Sequence, residues 1–384
     1  MNTYKHLLIG ITLCSIFACK ADTNERNIAL TTTQVLKPIP DGNIIQVALL
    51  LDTSSSMDGL IDQAKAQLWE IVNELSYAEC KHVKPKLQIA IYQYGNDGLS
   101  NKNGYIEQVI GFTSDLDDIS EKLFSLTTNG GEEYCGTVIN TAIKKLDWGK
   151  NKNDLKLIFI AGNEAFTQGS INYIDAVADA KEKEISVNTI FCGGYENGVS
   201  GMWQDGALRA NGDYMAINHN QKTVHVPTPY DAVILQLNIK LNKTYIPYGT
   251  SGKKKVAKQQ LQDKNAASYG TANEVSRIVS KSSKFYNNSS WDLVDAEILE
   301  DDYQNINKKT LPKALQQKTS KELKLYVEKQ REARNTLNDK IHHLNTKRKL
   351  FIKANKKENN NGLESAMLNA IKKQAKQKEY SWAK

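Results

Sequence analysis

Leu49-Leu50-Leu51-Asp52-Thr53-Ser54-Ser55-Ser56-Met57 takes an apolar run to an abrupt stop. Ile44-Ile45-Gln46-Val47-Ala48 leads into it, so the run ends in one carboxylate followed by a cluster of hydroxyls. A segment apolar on both of its faces reads as a central strand of a parallel sheet, covered by helices on either side. Asp52, Ser54 and Ser56 then stand at the carboxyl end of that strand, the edge at which open α/β sheets bind their ligands. One carboxylate and two hydroxyls make an all-oxygen donor set, which suits a hard divalent cation such as Mg²⁺ better than zinc.

Outward from this point, strand and helix patterns alternate. Leu60, Ile61, Ala64, Leu68, Ile71, Val72 and Leu75 recur at helical spacing over 59–76. Leu87–Tyr92 reads as a second strand, Tyr105–Phe112 as an edge strand, and Asp115 as the N-cap of a helix over 116–126. A Gly-punctuated loop, Thr127 to Gly136, opens the helix 137–146. Leu155–Gly162 is a second buried strand, as apolar as the first. A helix over 171–183, a strand over 185–191, a helical turn around 203–210, a short strand over 213–217 and a helix over 231–241 complete the unit. The fold class this predicts is α/β, a doubly wound, mostly parallel sheet flanked by helices.

Residues 42–243 resemble a von Willebrand factor type A (VWA) domain. The resemblance rests on Asp52-x-Ser54-x-Ser56 at a strand end, Thr137 opening a helix after Gly130-Gly131, and Leu208-Arg209-Ala210-Asn211-Gly212-Asp213-Tyr214 before the last strand. It implies a metal-ion-dependent adhesion site, in which a divalent cation offers its last coordination position to a carboxylate on a protein partner. On this match Asp52, Ser54, Ser56 and Thr137 are the ligand candidates. One departure is plain: Ala161-Gly162-Asn163-Glu164 places Gly162 where the family has an Asp. The site thus lacks one negative charge unless Asn163, Glu164 or the loop acids Glu132 and Glu133 supply it. Asn163 and Glu164 are therefore added to the candidate set.

At the start of the chain, Lys5 and His6 precede an apolar run from Leu7 to Ala18, too short to span a bilayer and of the form of an export signal. Ile16-Phe17-Ala18-Cys19 resembles a bacterial lipobox, which implies lipidation of Cys19. The expected organisation is a signal peptide over 1–18 and a Thr-rich tether over 19–41, ahead of the α/β domain. The expected location is the bacterial cell envelope, anchored by lipid on the extracytoplasmic side. Cys80, Cys135 and Cys192 remain; Cys135 and Cys192, both near the carboxyl edge, are the candidate disulfide, and three buried free thiols are the alternative.

Beyond the domain, residues 244–318 read as a linker with helical segments. Thr319-Ser320-Lys321-Glu322 is a capping box. From there Leu323, Val327, Gln330, Arg334, Leu337, Ile341, Leu344, Arg348 and Phe351 mark an interrupted seam on a long helix. Leu363 to Ile371 reads as a return helix, so 319–384 is expected to be a helical hairpin or coiled-coil-like region. Residues 251–384 carry 29 Lys and Arg against 15 Asp and Glu, whereas 1–250 carry 21 against 28. The basic charges are spread over helices without interleaved aromatics, which reads as a solvated face and not a nucleic-acid surface.

No catalytic constellation stands out. The six histidines lack recurring ligand spacing, and there is neither a Gly-x-Ser-x-Gly elbow nor a Walker lysine. The reading is a membrane-anchored binding module for a protein partner. Its alternatives are a scaffold whose domain face is covered by its own C-terminal part and, less favoured, a hydrolase built on Glu132, Glu133 and Glu164.

Overall fold

The computed structural model describes residues 43–220, 226–296, 298, 300–355 and 362–382. The elements in chain order are β1 (Ile44–Asp52), α1 (Asp58–Leu75), β2 (Ala78–Cys80), β3 (Lys86–Tyr94), β4 (Ile106–Thr113), α2 (Leu116–Phe124) and α3 (Cys135–Lys145). They continue with β5 (Leu155–Gly162), α4 (Tyr173–Glu182), β6 (Ser186–Cys192), α5 (Tyr195–Ser200), α6 (Trp203–Arg209), β7 (Tyr214–Ile217) and α7 (Asp231–Asn242). The rest is α8 (Gly252–Ser268), α9 (Thr271–Lys281), α10 (Ser320–Asn355), α11 (Leu363–Lys376) and β8 (Tyr380–Trp382). Residues from Gly42 onward form one compact unit.

The main sheet has the order β4-β3-β1-β5-β6-β7, with β4 antiparallel and the other pairings parallel. β1 is central because both of its faces are covered. Ile45, Val47, Leu49 and Leu51 pack towards α1, α2 and α11, and Ala48 and Leu50 pack towards α3, α4 and α6. This alternation follows from the two-residue period of a strand. The predicted N-cap holds: Asp115 accepts hydrogen bonds from the backbone N–H of Asp117 at 3.1 Å and of Asp118 at 3.0 Å. So does the capping box, with Thr319 N donating to Glu322 Oε2 at 2.8 Å and Glu322 N to Thr319 Oγ1 at 3.3 Å.

The C-terminal part departs from its expected form. The seam of α10 is filled from within the chain, along α7 and α9 and over a small core of Ile246, Leu293, Tyr303, Leu311 and Leu315. The two arginines in that seam are buried anchors: Arg334 reaches Asp292 and Asp295, each at 2.6 Å, and Arg348 reaches Asp231 at 3.1 Å. α11 lies along α1 and across β5, β6 and β7, and β8 pairs antiparallel with β2. The side chain of Gln67 accepts the backbone N–H of Glu364 at 2.5 Å, so α1 caps the helix that covers it. The last segments therefore complete one layer of the domain. A chain ended after Asn355 would uncover Leu49, Leu68, Phe159 and Ile190, which line the interface with Leu363 and Met367. It is expected to melt without cooperativity and to bind ANS, as checked by circular dichroism and dye fluorescence; an unchanged melt would rule this account out.

Candidate functional site

The carboxyl ends of β1 and β5 meet at the point where the connections diverge, α1 packing on one face and α4 on the other. Such a switch point leaves a crevice between the two strand ends. Asp52, the last residue of β1, is fully buried, and its Oδ1 accepts the backbone N–H of Ser54 at 2.7 Å. That bond turns the loop so that Ser54 Oγ and Ser56 Oγ lie 3.2 Å apart. From the other side of the crevice, Asn163 Nδ2 donates to Ser56 Oγ at 3.2 Å. Asp52, Ser54, Ser56 and Asn163 are thus brought together at one point of the crevice.

Glu133 is the residue whose place the sequence leaves open. It comes from the loop before α3, is 4% exposed, and lies with Asp52 over Gly95. Gly95 has φ +75°, and a Cβ there would sit 2.8 Å from Asp52 Oδ1 and 2.9 Å from the Glu133 Cγ. Only glycine lets both carboxyls approach. The spacing of Glu132-Glu133 behind Gly130-Gly131 marks an acidic loop but does not say which acid turns inward.

Gly162 proves to be a matter of space as well as charge. A Cβ at that position would lie 2.5 Å from the Tyr94 hydroxyl and 3.1 Å from Asp52 Oδ2. Tyr94 is fully buried and donates to the carbonyl of Ala161 at 2.9 Å, so it does not yield. The second carboxylate therefore enters from the α3 side as Glu133.

Thr137 stands in the first turn of α3 with its Oγ1 buried and without a hydrogen-bond partner, and its methyl group faces Gly104. No hydrogen bond ties it to Asp52, Ser54 or Ser56. Glu164 is exposed; Gln168 Nε2 lies 3.5 Å from its Oε2, and its carbonyl accepts the Trp203 indole N–H at 2.7 Å. The expected disulfide is corrected. Cys135 and Cys192 are both free and buried, in packing clusters on opposite faces of the sheet, so the shared edge does not bring their sulfurs together. Cys19 lies outside the described residues.

Burial pushes Asp52 up to about 6, against the opposing hydrogen bonds of Glu133 and Ser54. Burial, and then the charge of Asp52, push Glu133 up to about 9. The two carboxyls titrate as a pair that retains a proton near neutrality. Asp52 Oδ2 is buried with no donor on it among the described residues. Two crowded carboxyls, two hydroxyls and an amide oxygen fit a hard cation, which would displace the shared proton. Among the described residues no group of three or more His, Cys, Asp or Glu is placed to hold a metal ion, so the donor set of the crevice depends on its hydroxyls and amide.

Residues 46–202 match the von Willebrand factor type A domain family. No curated protein matches the chain. Among solved structures, BatB from Bacteroides thetaiotaomicron is 18% identical over 45% of this chain and 90% of that one, with a TM-score of 0.35. An aerotolerance-related membrane protein from Bacteroides fragilis is 18% identical over 46% and 93%, with a TM-score of 0.30. Proximal thread matrix protein 1 from the mussel byssus, solved with a zinc-occupied MIDAS motif, is 13% identical over 46% and 42%, with a TM-score of 0.35.

The raised acid pair sets a pH dependence. Both groups bind protons more tightly folded than unfolded, so in EDTA the pair's own contribution to stability is full below the ordinary carboxylate values and is lost as pH rises through about 6 and then about 9. Glu133→Gln is expected to flatten the upper part of that fall and to melt several degrees above the parent at pH 9. Thermal melts across pH in EDTA check this; parallel profiles for the two proteins would refute it.

Proposed function

We propose that this VWA domain protein is a binding module whose crevice holds a divalent cation through Asp52, Ser54 and Ser56, with Glu133 as the second carboxylate. Asn163 lines the same crevice. The observation that carries the reading is the buried Asp52 carboxylate beside Glu133, with one oxygen left without a donor. A bound cation supplies positive charge and a coordination position for a carboxylate of a protein partner. The chain's own residues hold that charge at the surface: Ser56 is exposed while Asp52 beneath it is not. Binding is favoured over hydrolysis because Glu133, the acid a hydrolytic pair would need within reach of substrate, is 4% exposed. The C-terminal part packs on the α1 flank and leaves Ser55, Ser56, Glu132 and Glu164 exposed, which favours an external partner over an internal occupant.

Mg²⁺ or Mn²⁺ at a hundredfold excess over Kd is expected to stabilise the protein by about 2.7 kcal/mol. Ser54→Ala with Ser56→Ala should abolish that gain, and EDTA should release any captured partner. Absence of a cation-induced rise in the parent's thermal melt would end the cation reading.

We place the module on the extracytoplasmic side of a bacterial envelope, held by lipid on Cys19. The support is the apolar run Leu7–Ala18 ending in the Ile16-Phe17-Ala18-Cys19 motif. Metabolic labelling with a fatty acid should mark the chain, and Cys19→Ser should lose the label; equal labelling of both would exclude lipidation there.

A further inference from the structure

We propose that the sheet edge opposite the cation site, where the chain enters the domain, is a docking surface for an anionic lipid membrane. This goes beyond the cation-bridged reading and draws nothing from it. The parallel strands begin together at this edge: Ile44 pairs with Lys86, Ile45 with Leu155, and Leu157 with Ser186. The connections there are bonded to one another. Lys86 N donates to Asn43 O at 3.0 Å, Ile44 N to Asp154 Oδ1 at 3.0 Å, and Lys378 Nζ to Lys152 O at 2.9 Å.

Six exposed lysines converge on it. Lys84 precedes β3 and Lys86 opens it, Lys145 ends α3, Lys150 and Lys152 lie between α3 and β5, and Lys183 lies between α4 and β6. Among the described residues no carboxylate holds any of the six in an ion pair. The acids of the edge are largely occupied. Asp154 is buried and accepts the backbone N–H of Ile44 and of Asn151, each at 3.0 Å. Glu184 pairs with Lys378 at 3.3 Å and Glu379 with Lys81 at 2.6 Å, both acids staying exposed, and Asp147 and Glu182 are exposed without an ion pair among the described residues. Val83, 51% exposed, sits beside Lys84 as an apolar contact. At the other edge the exposed charges are mainly acidic: Asp58, Asp97, Glu132, Glu164 and Glu196, with Lys102. The domain is thus polarised along its strands.

Two observations select a lipid surface as the occupant. Residues 1–42, which contain the apolar run Leu7–Ala18, join the domain at Asn43 on this edge. The six residues are lysines, hydrated point charges suited to a field of headgroups, with no arginine fork among them to clamp a single phosphate. A membrane bound here leaves Ser55, Ser56 and the acidic loops facing away from it.

The test uses the full-length chain carrying Cys19→Ser, in EDTA, with vesicles of phosphatidylcholine alone or with roughly a third phosphatidylglycerol. Both vesicle types meet the same N-terminal segment, so only the gain on adding anionic lipid is read. At roughly fivefold per lysine near the surface, that gain is expected to be at least about tenfold and to shrink with salt. Lys86→Gln, Lys150→Gln, Lys152→Gln and Lys183→Gln together should cut it by at least about tenfold with an unchanged melt, and Lys102→Gln at the opposite edge should keep it. The proposal is overturned by equal binding to both vesicle types or by a quadruple variant that binds like the parent. It is equally overturned if duplex DNA at matched phosphate concentration displaces the chain as fully as anionic vesicles do.

Discussion

Asp52 is held at the end of a strand that is apolar on both faces, and the removal of its carboxylate from water is the constraint around which the neighbouring loops are arranged. A buried carboxylate must be bonded, protonated or matched by a cation. One oxygen is bonded by the Ser54 backbone, and the carboxyl shares its site with Glu133. The glycines at 95 and 162 follow from the same constraint, because side chains there would occupy the volume of the two carboxyls and of Tyr94. The acidity of the site, the tightness of its loops and the exposure of Ser56 above it are consequences of one buried charge.

The helices that follow the sheet are fastened by buried cations. Arg277, fully buried, reaches Asp117 on α2 at 2.5 Å and Asp263 on α8 at 3.0 Å, and its guanidinium lies 4.5 Å from the centre of the Trp69 ring on α1. Lys281 reaches Asp263 at 2.7 Å, while Arg334 and Arg348 tie α10 to Asp292, Asp295 and Asp231. Buried pairs of this kind add little net stability over apolar contacts, yet losing one partner costs about 3–5 kcal/mol. Their effect is to define a register: each helix fits where its cation finds its acid. Part of the basic surplus of the C-terminal third is thus internal wiring, and the remainder is solvent-facing lysine.

The fold was legible because β1 and β5 are long, apolar on both faces and end in chemistry. The caps at Asp115 and Thr319 are local devices that need no tertiary information. What stayed hidden is non-local. The seam of α10 has the spacing of a coiled coil, and nothing in spacing tells whether a partner helix or the chain's own α7 and α9 will fill it. Arg334 and Arg348 in that seam were the available hint, since arginine at a core position calls for a specific acid. Within the site, the Asp-x-Ser-x-Ser register marked the strand end where Asp52, Ser54 and Ser56 lie side by side. It could not choose between Glu132 and Glu133, a choice settled by a loop conformation, nor foresee that Cys135 and Cys192 would sit on opposite faces of a sheet whose edge they share.

β2 and β8 join residues about 300 positions apart: Cys80 is in register with Tyr380. α11 closes the sheet face that α1 begins. During synthesis, the nascent domain therefore has an open apolar layer until residues 363–382 have been made. Such long-range closure is slow, and the partly folded chain exposes hydrophobic surface while it waits. Completion of the native state therefore waits on the final helix and strand, and every earlier element is held in reserve until they arrive.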